Sequence, residues 1–524
     1  MCVAERTTPP YASINHSPSS QAAEDHAFSL FNSIHSALRQ WGSSVHHNGL
    51  SFYLAQAPQG SVFYHGGHST ERPKTYEWLA FEFEHAASFA TPNAKIDDDD
   101  DDDDDEKKPG PHFPIFDRYT RGYYQIYRAS RPLNLLYIDG ESAAKCTLGP
   151  MDSQDLLLLG WDDLKFDPHK SPFRERDRAQ DMCSLAKEWA FTVGGKIDGF
   201  IRMEAGFEII YCDFSPSGGL DLVSVQATPF SNETGIDDET DDWRKTRNSN
   251  QTTSEWLRAC AARFQGHPEG RVDIDWSSMV SAFAYDMDLS NPDTRRPDLP
   301  RIINATRDDI NNVRARLRDV VLERGGKSSS EKGVINWQSV TDKIVTRFGP
   351  RLWMMNSVNS TRDDLIASIG TLIDPFTSYV DHEPMADLHA LDRCAQHYLD
   401  GEDERVFHKG SRTPEDEVIA AALATVSKKI CGSLFSARRV LRSNETTSAD
   451  FGSPLEEAQA IIRQLISTLN WSTWKECGPC ANDEICSIPM FPVGTKEDYF
   501  HPKCKSPMQL LQSSEYWELD DWIR

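Results

Sequence analysis

Residues 194–214 read GGKIDGFIRMEAGFEIIYCDF, and the alternation inside this stretch decides what the N-terminal half of the chain is. Asp198 to Arg202 leads into a short turn at Glu204, Ala205 and Gly206, and Phe207 to Cys212 then continues with the aromatic and β-branched residues that favour strands. The spacing predicts a strand pair. Side chains alternate across a strand, so if Phe207 and Ile209 face a core, Glu208 points to the other face, where a carboxylate can line a cleft. The plainer alternative is a solvated strand carboxylate, since charged side chains stay in water.

On the N-terminal side of this pair, Ala27 to Trp41 places Phe28, Leu30, Phe31, Ile34, Leu38 and Trp41 at helical spacing. Strand signals follow at Leu50–Ala55 and Ser61–His65, with turn residues between them. The second strand runs into Tyr64, His65, Gly66 and Gly67, where glycines let a ligand approach the backbone. Trp78–Phe83 reads as a third strand and Glu84–Ala90 as a helical turn; Gly122–Arg128, Leu133–Asp139 and Leu220–Gln226 complete the sheet signals. Helices are expected around Ser153–Leu159 and Asp177–Trp189.

These elements define an α+β domain over residues 27–228, preceded by a polar leader, 1–26, that reads as disordered. An acidic insertion at 97–108 interrupts it; the nine aspartates Asp97–Asp105 repel one another and read as a surface loop. Residues 229–256 are polar and acidic, as in a linker. Beyond them the period changes to 3.6, so 257–470 is expected to be an α-helical domain whose apolar stripes form its core, and 471–524 a tail rich in Cys and Trp.

Across 524 residues, Lys+Arg 55 against Asp+Glu 81 gives a formal net charge of -26, which argues against a nucleic-acid partner. No apolar run reaches the roughly 18 residues of a membrane-spanning helix. Triad, P-loop and dinucleotide fingerprints are missing. The first 26 residues lack the apolar core of a secretory signal. Glycosylation sequons nevertheless recur at Asn15, Asn232, Asn250, Asn304, Asn359, Asn444 and Asn470. Setting Cys2 aside leaves ten of the 11 cysteines, an even number that fits disulfides. These features point to secretion from a longer native start, and their alternative is a cytoplasmic protein with free thiols. In the tail, Cys477, Cys480, Cys486 and Cys504 form a clamp through two disulfides or one structural zinc.

The runs FNSIHSALRQWGSSVHHNGLSFYLA, EWLAFEFEHAASFA, RPLNLLYIDG and NWSTWKECGPCANDEICSIPMFPVGTKEDYFHPKC resemble a family of uncharacterised ascomycete proteins over nearly the whole chain. Members often begin with a hydrophobic leader, and this chain departs there. Over about residues 50–228, YHGG, WLAFEFEHAASFA and DGFIRMEAGFEII also resemble the three motifs of the mono-ADP-ribosyltransferase fold, which build one NAD cleft on facing strands. That resemblance implies NAD as cofactor. It implies His65 on the adenosine-side ribose, Gly66 gripping the nicotinamide amide through its backbone, and Trp78, Phe81 or Phe83 stacking on nicotinamide. Glu208 would be the catalytic carboxylate beside an oxocarbenium-like transition state. The chain departs from the family's Ser-Thr-Ser motif and from the second acid two residues before the glutamate. The competing expectation is a non-enzymatic secreted or accessory protein, for example of a fungal secondary-metabolite pathway.

Overall fold

A computed structural model describes residues 17–90, 93–94, 119–161, 174–190, 196–228, 249–268, 270–326, 334–378, 386–399, 412–443, 446, 451–512 and 516–517. The leader up to residue 16, the insertion 97–108, most of the expected linker (229–248) and the sequon residues Asn15, Asn232 and Asn444 lie outside them.

The Gly206 turn organises the sheet. Its φ of 96° is a left-handed value that glycine adopts without penalty. That bend folds Gly199–Glu204 back on Gly206–Tyr211 in antiparallel register. Besides two small two-stranded sheets, the described residues hold nine strands, in chain order β1 (Asn48–Ala57), β2 (Val62–Gly67), β3 (Glu77–Ala80), β4 (Tyr123–Ala129), β5 (Leu133–Gly140), β6 (Gly199–Glu204), β7 (Gly206–Tyr211), β8 (Leu220–Ala227) and β9 (Asp273–Ser281). They form one sheet in the order β8-β4-β2-β3-β7-β6-β5-β1-β9. The β5–β6 pair is parallel and its neighbours are antiparallel. Every residue of β6 and β7 is buried, as expected of central strands covered on both faces.

Among the described residues up to 470 the α-helices are α1 (Ser20–Asp25), α2 (Ala27–Ser36), α3 (Gln40–Val45), α4 (Phe83–Phe89), α5 (Glu175–Glu188), α6 (Ser249–Ala261), α7 (Arg307–Arg324), α8 (Trp337–Met355), α9 (Arg362–Ile373), α10 (Ala386–Gln396), α11 (Pro414–Ser443) and α12 (Pro454–Leu469). The single helix expected over Ala27–Trp41 is broken: Leu38 has φ 55° and its N–H bonds to the Tyr137 hydroxyl at 3.1 Å, so the chain turns before α3. Helices α7 and α9 start where the sequence supplies reciprocal caps, Thr306 with Asp309 and Thr361 with Asp364.

The mixed sheet with helices, followed by a helical part tied by disulfides, agrees with the coarse expectation. The border does not fall at 229–256. Strand β9 lies beyond it and pairs with β1, α11 packs on α1, α2 and β9, and one apolar core runs from Ala23 to Trp471. The sequence DIDWSSMVS hides β9, because its serines and aspartates carry little strand signal; Ser278 and Asp275 are buried through hydrogen bonds to Leu54 N–H and to Arg324.

Helix α11 is long and apolar enough to cross a membrane by length and composition, contrary to the reading that no stretch is. Its apolar residues, among them Leu423, Val426, Ile430 and Leu434, are buried inside the protein. Disulfides join Cys183–Cys212, Cys394–Cys431, Cys477–Cys486 and Cys480–Cys504. The tail clamp is thus of the disulfide type, which leaves no thiolate for zinc. The even count does not mean complete pairing, since Cys146 and Cys260 are free and buried.

Candidate functional site

A cleft of about 780 Å³ opens over β2, β3 and β7. Adjacent strands put their chemistry side by side: Ala80, at the end of β3, pairs with both Tyr64 and Glu208, so three strands meet at one place. His65, Gly66, Trp78 and Glu208 all line this cleft.

His65 is held by its backbone neighbour. Its Nδ1 lies 2.8 Å from the Trp78 carbonyl oxygen, which only accepts, so Nδ1 carries the proton and Nε2 is the acceptor. Burial lowers its pKa, against the opposing pull of that hydrogen bond. Gly66 faces helix α4: a Cβ there would stand 2.0 Å from the Ala86 carbonyl oxygen. Close helix packing therefore accounts for this glycine. Trp78 is half-buried, with the Arg176 guanidinium 5.9 Å from its ring centre.

Phe81 is not a cleft residue, contrary to expectation. Period two turns it away from Trp78 and into the core, where it is 1% exposed, 5.4 Å from the Phe63 ring and 4.5 Å from that of His267. Phe83 packs against Tyr64 and Tyr124 and is likewise absent from the cleft lining.

Beneath the cleft lies a set of charges that single-strand reading did not connect. Arg202 is the cross-strand partner of Glu208, and its Nη2 bridges Glu208 and Glu175. Its Nη1 donates to Gln154 Oε1 at 3.1 Å. Arg178 ties Glu175 to Asp155 at 2.6 Å each. Lys145 Nζ is 2.7 Å from Glu204 Oε2, and His85 Nε2 is 3.5 Å from Glu204 Oε1. Four carboxylates thus face three permanent cations, which leaves one negative charge over.

The titration tendencies follow from burial and from which cations each carboxylate faces. Burial pushes Glu208 up, reinforced by Glu204 and Glu175, and outweighs Arg202 and Lys145. Burial would also raise Glu204 and Glu175. Lys145 and His85 hold Glu204 below its usual range, and Arg202, Lys145 and Arg178 do the same for Glu175. The cluster therefore presents one carboxyl that takes a proton readily beside two that resist it, a pairing suited to acid–base work. Arg202 and Glu204 alternate with Ile201 and Met203, and that pattern of charges opposite Glu208 across a hairpin was the signal available for the missed partners.

The profile of the YPL277C N-terminal domain matches residues 21–111 and 91–236. Uncharacterized protein YPL277C of Saccharomyces cerevisiae is 30% identical over 398 residues, covering 66% of this chain and 78% of the yeast protein. The chain belongs to the YPL277C family. Uncharacterized protein YOR389W of the same yeast is similar at 26% identity over 546 residues, 91% of this chain and 84% of the relative. Both are ascomycete proteins, so the expected family resemblance holds over most of the chain. No solved structure matches this YPL277C-family chain.

Proposed function

We propose that the cleft over β2, β3 and β7 binds a nicotinamide dinucleotide. What carries this reading is one juxtaposition: His65, Trp78 and Glu208 come from three adjacent strands and line the same cleft. In this reading His65 Nε2 takes a ribose hydroxyl, the Trp78 indole stacks on nicotinamide, and Lys74 and Arg176 at the rim face the pyrophosphate. Glu208 takes the nicotinamide-ribose hydroxyl.

One contact favours binding without transfer chemistry. Arg202 already occupies one oxygen of Glu208, and a cation beside the carboxylate works against stabilising a second, developing positive charge. The second reading is accordingly a non-enzymatic accessory protein that holds the nucleotide. Calorimetric titration of NAD into the parent, W78A and E208Q, together with an assay for released nicotinamide, separates the two. Binding lost in W78A with no nicotinamide released supports the non-enzymatic form. No heat with millimolar NAD removes both.

The same chain suits an oxidising compartment. Four disulfides support this, as do the exposed sequon residues Asn304, Asn359 and Asn470. A mass shift on glycosidase treatment of protein from its native source is the expected result; an unchanged mass counts against secretion.

A further inference from the structure

The strongest unassigned feature is a buried imidazole whose contact with Glu204, at 3.5 Å, is too long for a good hydrogen bond. His85 is 1% exposed and neither ring nitrogen has a hydrogen-bond partner among the described residues. A polar ring so placed costs free energy unless something else satisfies it. Its ligand atom and those of Glu204 and Glu208 lie within 4.8 Å of one another.

We propose that His85, Glu204 and Glu208 bind a divalent first-row ion, Zn2+ or Mn2+, at the floor of the cleft. The distances fit shared coordination better than direct bonding. His85 Nε2 and Glu204 Oε1 stand 3.5 Å apart, long for a charge-assisted hydrogen bond. Two donors that each sit about 2.1 Å from one tetrahedral ion are roughly 3.4 Å apart.

The supporting shell is also present. Each carboxylate has one oxygen fixed by a cation, Oε2 of Glu204 by Lys145 and Oε1 of Glu208 by Arg202, which orients the other oxygen. Trp256 stacks on the His85 ring with centroids 5.0 Å apart and sets its plane. His85 and Glu208 line the cleft, so an ion held by three protein donors has its remaining coordination open to whatever enters there. With Glu208 ionised the four carboxylates outnumber the cations Lys145, Arg178 and Arg202 by one, and a bound cation, taking the place of the Glu208 proton, offsets that surplus.

This inference goes beyond the nucleotide reading and does not need it. The test is titration of chelator-stripped full-length protein with Zn2+ and with Mn2+, without nucleotide. Calorimetry and metal analysis are to be run on the parent, H85A, H85Q, E204Q and the rim variant E71Q. The expected result is one tight ion per chain in the parent and in E71Q. Affinity should fall at least tenfold in H85Q and E204Q, and Co2+ should give a d–d absorption in the parent that H85Q loses. All variants share the aspartate run at 97–105, so weak binding there cancels in the comparison. H85Q keeps a polar side chain of similar reach against Trp256, so it answers the question if H85A does not fold. A parent that binds neither ion at 100 µM overturns the proposal, as do variants that bind as tightly as the parent. W78A is expected to keep the ion and lose NAD, and E204Q the reverse, so failure of one reading leaves the other standing.

Discussion

Arg202 and Glu208 are direct cross-strand partners, and the guanidinium of Arg202 bridges Glu208 on its own hairpin to Glu175 on α5. Neither side chain of the cross-strand pair is more than 3% exposed. Such an arrangement holds the helix to the sheet, and it also sets the charge available at the cleft floor. It is a link whose loss is felt at both ends, because each partner left behind is a charge without water.

Breaking that link should therefore cost much more than a surface salt bridge does. Replacing Arg202→Met strips Glu208 of its ion-pair partner and leaves Glu175 with Arg178 alone, and we expect a loss of about 3–5 kcal/mol in urea unfolding. Adding E208Q to that variant should recover part of the loss, since one stranded charge is then removed. Equal stability of the single and double variants would show the bridge to be energetically idle.

Glu141 makes the stability depend on pH in a definite direction. Its carboxylate accepts from Ser44, from the Phe491 N–H at 3.1 Å and from the Tyr516 hydroxyl at 3.1 Å. Burial nevertheless pushes its pKa up to about 7. A folded pKa above the unfolded value of about 4.5 means that the native state holds the proton more tightly. The resulting stability is fully present below about pH 4.5 and lost as pH rises through about 7, an effect on the order of 3 kcal/mol. Asp139, raised to about 6 by its burial, acts in the same sense. The expected outcome is that E141Q, which mimics the protonated acid, loses less stability than the parent between pH 5 and pH 8 in paired denaturant titrations.

Most of the sheet and helices were legible because their apolar periods are clean. The strands around His65, Trp78 and Glu208 lie within a few residues of their sequence signals, and the helices from α7 to α12 fall in the stretch where the period changes to 3.6. Two things were not legible, and for different reasons. Strand β9 is satisfied by tertiary hydrogen bonds and ion pairs, so its polar residues disguise it. The cleft floor assembles Lys145, Glu175, Arg202 and His85 from four segments, and no local spacing relates them. Arg202, Glu204 and Glu208 share one hairpin, and a register argument could have joined them.

Gly66 offers a test of packing at the cleft wall. Any side chain there meets the Ala86 carbonyl oxygen 2.0 Å away and the Ala90 backbone nitrogen 2.9 Å away, so α4 has to move. We expect G66A to cost about 1–3 kcal/mol by overpacking. His85 sits on the displaced helix, so weakened ion binding should accompany the lost stability. Unchanged melting and ion binding would mean that α4 shifts freely and does not hold the floor of the cleft in place.

Cysteine chemistry supplies the last prediction, because the eight paired and two free sulfurs among the described residues differ in every measurable respect. Cys183 lies on α5, the helix that carries Glu175, and Cys212 follows β7, the strand that carries Glu208, so their disulfide closes the same helix–sheet junction that Arg202 bridges. At a sequence separation of 29, cross-linking entropy alone gives about 3–4 kcal/mol. Cys146 and Cys260 are buried, and burial pushes both thiols up, Cys146 to about 12. Neither forms a thiolate readily, so both should resist alkylation in the native protein. In protein from its native source we expect no labelling of these ten positions when folded. Two should label on denaturation without reductant, and all ten after reduction. Replacing both Cys183 and Cys212 with Ala should lower stability by about 2–4 kcal/mol and make the α5 end of the cleft the first region to exchange its amide hydrogens. Labelling of Cys183 and Cys212 before reduction would show that the junction is held by the ion pairs alone.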